Sequence, residues 1–545
     1  MKVILSWLMR YAKVIILTLT VIGSIFVNSS LLTDSQILPK WFCFAIGGAL
    51  LAFVMGFQLL QGSVFESLHD KNIIARIIGL SIVAQVIYAI ACYHSWWSQD
   101  VVFEIGSFEN PAGFASCLCM GMPFVALFVR DQKRWVRSIA LVSCFLVLIA
   151  IYVSKSRTGY VSCVMMLIVF LLFIYNKVSR RARVVLCVGC FSAVVGIVIA
   201  FCSMSGSKHN SMNGRKLIWT VGMEMVKDKP LNGHGLGSIE RCYMNYQAGY
   251  LKHSSKQSEI MLADNVKHVF NDYLAIAIQF GLVGILLLFG YVGMVAYCFI
   301  RKSMHDSLAQ AALLSMIGLG SFAFFSYPSC YPFTWVMIAV NSWLIISPCI
   351  PRRMHISVSL QRTMGMGMVI LSVVSLVQIG IRLKAELTWK KLYDRRLVFG
   401  DKQTLSEYQS VYAVLKHEPY FLYNYAVELN LDGQYAQSQQ VAKECERYWA
   451  DYDLKMVMAY NYKDLRNSAN AIRCFHEAEA MCPNRFEPIY NIMQIYQSLH
   501  NSRKTLEYAK MIVNKSIKVY SADVVNMKDE AKQVLSNQEV IMSIE

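Results

Sequence analysis

The 545-residue chain is 56% hydrophobic and only 16% charged, with 52 Lys and Arg against 35 Asp and Glu, a net charge of +17. Apolar runs of about 17–25 residues recur along it, the length needed to cross a bilayer, which sets it apart from soluble globular proteins. In a soluble chain the basic excess would suggest nucleic acid; here it is what the loops of a multi-pass membrane protein carry, so no nucleic-acid partner is inferred.

Taken in order, the first span, 11–27, lies behind Lys2, Arg10 and Lys13. Further spans follow without a small-residue cleavage site, so it reads as a retained anchor. The next are 41–60, 73–93, 112–129, 138–153, 159–175 and 184–204. After a long polar stretch come 273–300, 307–325, 333–350 and 356–381. The expectation is an all-α, polytopic transmembrane bundle of about 11–12 spans. Most of the sixteen cysteines lie inside these runs, including Cys117/Cys119 and Cys187/Cys190. There they act as small packing residues. No zinc-type spacing appears, and neither metal nor cofactor is expected.

Basic loops alternate with a neutral one. Lys71 and Arg76, then Arg130/Lys133/Arg134/Arg137 and Lys177/Arg180/Arg181/Arg183, contrast with 94–111, which has no Lys or Arg. Arg301/Lys302 and Arg352/Arg353 continue the basic series. The bias places the N-terminus in the cytoplasm. It puts Lys155–Arg157, the loop 205–272 and everything after 381 on the opposite face.

Three stretches on that face carry chemistry. In Ser154-Lys155-Ser156-Arg157-Thr158-Gly159 two cations stand between two apolar spans. They read as snorkelling anchors or as the lining of a polar cavity. The long loop opens with Gly214-Arg215-Lys216-Leu217-Ile218-Trp219, whose apolar positions predict an amphipathic helix ended by Pro230. Asn232-Gly233-His234-Gly235-Leu236-Gly237 follows. It lacks the strand and βαβ setting of a dinucleotide fingerprint, so its glycines predict positive φ and close backbone packing. Finally His268, Asn271 and Asp272 fall at i, i+3 and i+4, which would put them on one helical face just before Tyr273 enters the membrane. A histidine there can take a proton from a hydroxyl, or it is one loop histidine among several (His209, His234, His253).

From about Leu383 the chain turns charged and helical. Units beginning at Pro419-Tyr420-Phe421, near Asp453 and at Phe486 repeat with a period near 34 and carry small residues such as Ala426, Ala459, Ala471, Ala478 and Ala509. This resembles tetratricopeptide repeats, arrays that offer a protein-binding surface. The expected domains are therefore a membrane domain, 1–382, containing the loop 205–272, and a repeat domain, 383–545.

The order Arg157-Thr158-Gly159, then Gly214-Arg215…Trp219…Pro230…Gly233-His234-Gly235, then His268…Asn271-Asp272-Tyr273-Leu274 and Phe280-Gly281-Leu282-Val283-Gly284 resembles the O-antigen ligase superfamily. That superfamily also holds O-antigen polymerases and protein O-oligosaccharyltransferases. The resemblance covers about 112–288 and implies a GT-C-like, metal-independent, inverting glycosyltransferase of the inner membrane. Its donor would be an undecaprenyl-diphosphate-linked glycan on the periplasmic face; its acceptor would be a glycolipid such as the lipid A core, or a protein. Arg157 and Arg215 would bind the donor diphosphate and His268 would orient or deprotonate the acceptor. Lys155, Ser156, Trp219, His234, Asn271 and Tyr273 would contact substrate. The family's histidine directly before the asparagine is here Phe270, with His268 two residues earlier. A transporter would instead predict charges deep inside several spans and inverted repeats; the charges here are mostly interfacial and no inverted repeat is evident.

Overall fold

The computed structural model describes residues 2–61, 68–93, 105–175, 209–253, 256–350, 357–399 and 404–542. All regular structure among them is helical. Among the described residues, seven helices are long and apolar enough to cross a membrane: Leu38–Leu60, Lys71–Cys92, Pro111–Arg130, Arg134–Val153, Asp272–Ser303, Pro332–Cys349 and Val358–Arg396. Three shorter apolar helices, Tyr11–Phe26, Arg157–Phe173 and Ser307–Ala323, complete the set. Each coincides with an expected span; the span at 184–204 lies outside the described residues. The chain is a helical polytopic membrane protein.

It forms two compact units, each described separately below. The first comprises Met1–Ser205, Phe270–Tyr273 and Leu286–Lys391. Its helices are α1 (Lys2–Phe26), α2 (Leu38–Leu60), α3 (Leu68–Tyr93), α4 (Pro111–Ala126), α5 (Arg134–Val153) and α6 (Arg157–Tyr175). After the loop come most of α10 (Asp272–Cys298), α11 (Ser307–Ala323), α12 (Pro332–Ile346) and the first part of α13 (Val358–Phe399). The most deeply buried is α4, on which α3, α5, α6, α11 and α12 all pack. Its sequence explains this. Gly113, Ala115, Ser116, Cys117, Cys119 and Gly121 are small, so neighbours approach closely; a Cβ on Gly121 would lie 2.1 Å from the Ile82 side chain. Cys117 and Cys119 are buried packing residues.

The second unit joins the loop, Gly206–Val269 and Leu274–Ile285, to Leu392–Glu545. In the loop are α7 (His209–Asp228), α8 (Ser238–His253) and α9 (Gln257–Leu262). After α14 (Thr404–Leu415), paired helices follow: α15/α16 (Pro419–Leu431, Tyr435–Cys445), α17/α18 (Tyr452–Asp464, Ser468–Met481) and α19/α20 (Glu487–Ser498, Ser502–Asn514), then α21 (Ala522–Met542). Ala426, Ala442, Ala459, Ala471, Ala478 and Ala509 are fully buried where partner helices approach. Successive pairs are stitched by buried amides: Asn430 Nδ2 donates to Asn461 Oδ1 at 2.8 Å, and Asn461 Nδ2 donates to Ser438 Oγ at 2.8 Å. Satisfied polar links of this kind fix one register in a core that apolar contacts alone would leave degenerate. α13 runs well past the expected end of the last span at 381, and Arg396 at its far end pairs with Glu428 of α15 at 2.8 Å.

Candidate functional site

In the first unit the turn between α5 and α6 is built by serines. Ser154 Oγ donates to the Ile151 carbonyl at 2.6 Å and accepts from the Ser156 N–H at 3.3 Å. Ser156 Oγ accepts from the Gly159 N–H at 3.3 Å, capping α6. Ser156 is buried, and its hydroxyl caps the helix. Lys155 bridges the serines in the left-handed region, φ 53°, and is exposed; Arg157 is the first residue of α6 and partly exposed. A helix N-terminus presents free N–H groups and a positive dipole end, so the local field at Arg157 favours an anion.

Other segments reach the same end of this bundle. α6 meets α4 where Gly159 faces Ala115, and meets α11 through Ser162 and Ser321, whose hydroxyls are 3.3 Å apart. Tyr273 Oη donates to the Gly320 carbonyl at 2.8 Å, and its ring lies 4.4 Å from Phe324. Both Asp272 carboxylate oxygens accept from Ser329, from the N–H at 3.0 Å and the hydroxyl at 2.7 Å. The Phe270 ring meets Tyr327 edge-on at 5.2 Å. Asn110 caps α4 through the Gly113 N–H at 2.8 Å and donates to Tyr331 Oη at 2.7 Å. Beside it Glu109 stays open to solvent, its carboxyl pushed up by partial burial and then by the Asp34 charge. Lys40 Nζ donates to the Ser107 carbonyl at 2.6 Å. Sequence reasoning missed Lys40, Glu109, Asn110, Tyr327 and Tyr331; the repeated Tyr-Pro of Tyr327-Pro328 and Tyr331-Pro332 was the available signal.

The expectation that His268, Asn271 and Asp272 share a helical face is overturned. α10 begins only at Asp272, and Phe270 sits at φ 52°, which breaks any helix through 268–271. A bulky residue at positive φ is strained and is held only where its surroundings over-determine it.

In the second unit, Trp219 Nε1 donates to the Val269 carbonyl at 2.9 Å, next to His268 in the chain. Arg215 lies one turn before Trp219 on the same face of α7. Burial, and then the neighbouring Lys267 charge, lower the half-buried His268 imidazole from 6.5 to about 4, so it is neutral at physiological pH.

The glycine turn has a mechanical role. Gly233, Gly235 and Gly237 have φ of 66°, 90° and 73°. They let the backbone dock onto α10 where that helix breaks at Gly281 (φ 59°, ψ −150°). His234 N donates to Ile278 O at 2.8 Å, Gly235 N to Gln279 O at 2.9 Å, and Leu282 N to Pro230 O at 2.8 Å. The carbonyls and amides freed by the break are thereby satisfied. The His234 side chain is 5% exposed, its Nε2 2.9 Å from the Met225 carbonyl, so it braces the turn against α7. A Cβ on Gly281 would lie 2.4 Å from the Leu231 carbonyl oxygen, in a conformation essentially reserved for glycine. Gly281→Ala is expected to cost about 1–3 kcal/mol in backbone strain alone and to expose the 230–237 turn to limited proteolysis; unchanged protease resistance would contradict this.

The segment leading to His268 is clamped to the helical pairs. Asn265 Nδ2 donates to Asp451 at 2.7 Å, and Asp264 pairs with Arg485 at 3.2 Å and Lys518 at 3.3 Å. Gln247 Nε2 donates to the Met481 carbonyl at 2.8 Å, and the Ala450 N–H to the Glu240 carbonyl at 2.9 Å. Lys267 lies over the Tyr420 ring at 5.1 Å.

No curated protein matches the chain. Residues 142–289 match the family model described as O-Antigen ligase. That segment encloses the α5–α6 turn, the whole loop and the start of α10, the same elements from which the geometry above is built. Over that segment the chain is similar to the O-antigen ligase family, whose members are ligase- and polymerase-type glycosyltransferases.

Proposed function

We propose that the protein transfers a glycan from undecaprenyl diphosphate to an acceptor hydroxyl, on the lipid A core or a similar glycolipid, at the periplasmic face of the inner membrane. The observation that carries this reading is the O-antigen ligase match over 142–289, which encloses Arg157, Arg215 and His268 together. Arg157 and Arg215 hold the diphosphate, since guanidinium forks match phosphate oxygens. The N-terminus of α6 and the exposed Lys155 add to the field. The acceptor oxygen attacks the anomeric carbon as the bond from that carbon to the diphosphate breaks. The bonding pair stays on the departing diphosphate, and the anomeric configuration inverts. His268 accepts the hydroxyl's hydrogen bond and then its proton. An anionic donor alongside would raise the imidazole from about 4 towards neutrality and strengthen it as a base. Asn271 faces the acceptor, while Trp219, Tyr273 and His234 act as positioning residues. The helical pairs from 404 onward are read as a tetratricopeptide-like array open to a protein partner.

The glycan profile of a deletion strain tests the acceptor. Accumulated carrier-linked chains are expected. Single-unit caps would instead identify a polymerase, and altered glycoproteins a protein O-oligosaccharyltransferase.

The orientation in this reading has a cytoplasmic N-terminus and a periplasmic C-terminal region. A cysteine at Ser521 should react with an impermeant reagent in intact spheroplasts; protection until the membrane is permeabilised would reverse the topology.

Transfer is expected to need no divalent metal, because two arginines supply the charge that a metal supplies elsewhere. The two acids that flank the His268 segment are already engaged, Asp264 by Arg485 and Lys518 and Asp272 by Ser329. Activity lost on chelation and restored by magnesium or manganese would contradict this.

A further inference from the structure

Between α7 and α8 lies an open cleft of about 920 Å³ that nothing above assigns. Two rows at helical spacing form its walls: Glu224 and Asp228 on α7, and Tyr246 and Tyr250 on α8, with Asn245 and Gly249 beside them. Both tyrosine hydroxyls are tied down. Tyr246 Oη donates to Asp228 Oδ2 at 2.5 Å, and Tyr250 Oη to Glu259 Oε2 at 3.1 Å. Their rings are thus held in place while remaining partly exposed. A Cβ on Gly249 would meet no atom within 4 Å, so the floor between them is open.

The lining selects among ligand classes. No aliphatic side chain contributes to it, which disfavours a lipid chain or an apolar peptide anchor. Its charges are largely internally matched: Glu224 pairs with Lys227 at 2.8 Å and Lys256 with Glu259 at 3.1 Å, so no strong net field invites a polyanion. What remains is flat aromatic surface flanked by carboxylate oxygens and an exposed amide. That combination suits a polyol, whose C–H faces lie on rings and whose hydroxyls donate to carboxylates. The volume falls at the upper end of ordinary ligand sites, about 300–1,000 Å³, and admits several linked sugars.

We propose that this cleft binds a short stretch of glycan chain away from the reacting sugar. The assignment of that glycan to the transfer reaction rests on the function proposed above; the cleft itself does not. The Tyr246 ring packs edge-on against His234 at 5.6 Å, and His234 belongs to the turn docked on the break in α10. An occupied cleft therefore bears directly on the turn that supports that break.

The test uses the full-length protein in detergent with three variants, Tyr250→Ala, Tyr250→Phe and Asn245→Ala. The first readout is binding of a lipid-free oligosaccharide of the host glycan, followed by saturation-transfer NMR. The wild type and Tyr250→Phe should bind alike, because the ring face is kept. Tyr250→Ala and Asn245→Ala should bind at least about tenfold more weakly, a loss of about 1.4 kcal/mol. The second readout is KM for donors and acceptors carrying long or single-sugar glycans. A rise of about tenfold confined to long donors assigns the cleft to the donor chain; one confined to long acceptors assigns it to the acceptor, and either supports the site. Oligosaccharide binding that is absent from the wild type or unchanged in Tyr250→Ala, or a KM rise independent of glycan length, would overturn it. Binding that is lost in Tyr250→Ala from a wild type unable to transfer would leave the cleft standing and defeat the proposed function.

Discussion

Arg157→Ala and Arg215→Ala should each lower transfer by about 10²–10³ or more, the usual loss when one preorganised donor to developing charge is removed. Arg157 stands at the N-terminus of a 19-residue helix, where the capped turn holds its backbone in place. Arg215 stands one turn from Trp219, which is itself anchored to the Val269 carbonyl. Both arginines are therefore placed by rigid elements, and charge alone is not what they contribute. Lysine replacements should rescue poorly, because an ammonium does not reproduce a two-pronged fork. Transfer assays with purified Arg157→Lys and Arg215→Lys decide the matter: near-normal rates would show that diffuse positive charge suffices.

His268→Ala should lower turnover by about 10²–10⁴ while leaving donor binding nearly intact, since the arginines still hold the diphosphate. The pH dependence adds a second signature. With the imidazole held at about 4 in the folded protein, kcat/KM should stay level down through pH 6.5 and fall only as pH approaches 4. Stability follows the same sign. Between pH 6.5 and about 4 the unfolded chain binds a proton at this histidine that the folded chain does not, so the fold loses stability as pH falls through that window. Near-normal transfer by His268→Ala would remove the base from this residue. An acid limb centred near 6.5 would show that the free enzyme does not bury the imidazole as described.

The spans and the glycine turn were legible because one constraint dominates each. About twenty apolar residues must cover a bilayer, and closely spaced glycines signal backbone that needs positive φ. The break in α10 was not legible. Gly281 sits in an apolar run that reads as a continuous helix, and only docking of residues 230–235 onto it satisfies the interrupted hydrogen bonds. The left-handed turn at Phe270 was hidden for a similar reason, since the bonds that hold the neighbouring Asp272 come from Ser329, distant in sequence. Lys40, Glu109 and Tyr331 each look like an ordinary polar residue at the end of a span, and only packing assembles them. The clamp on the His268 segment is equally non-local: Asn265 and Asp451 are 186 residues apart, and neither stretch announces the other.

The most direct measurement of the central claim is a purified reaction containing this protein, an undecaprenyl-diphosphate-linked glycan and a lipid A core acceptor, following both products by mass spectrometry. The account predicts free undecaprenyl diphosphate and glycosylated acceptor appearing in equal amounts, with the anomeric configuration inverted and with both products formed at least about 10² more slowly by Arg157→Ala. Wild-type protein that leaves the carrier-linked glycan intact, or that forms product with retained configuration, would contradict it.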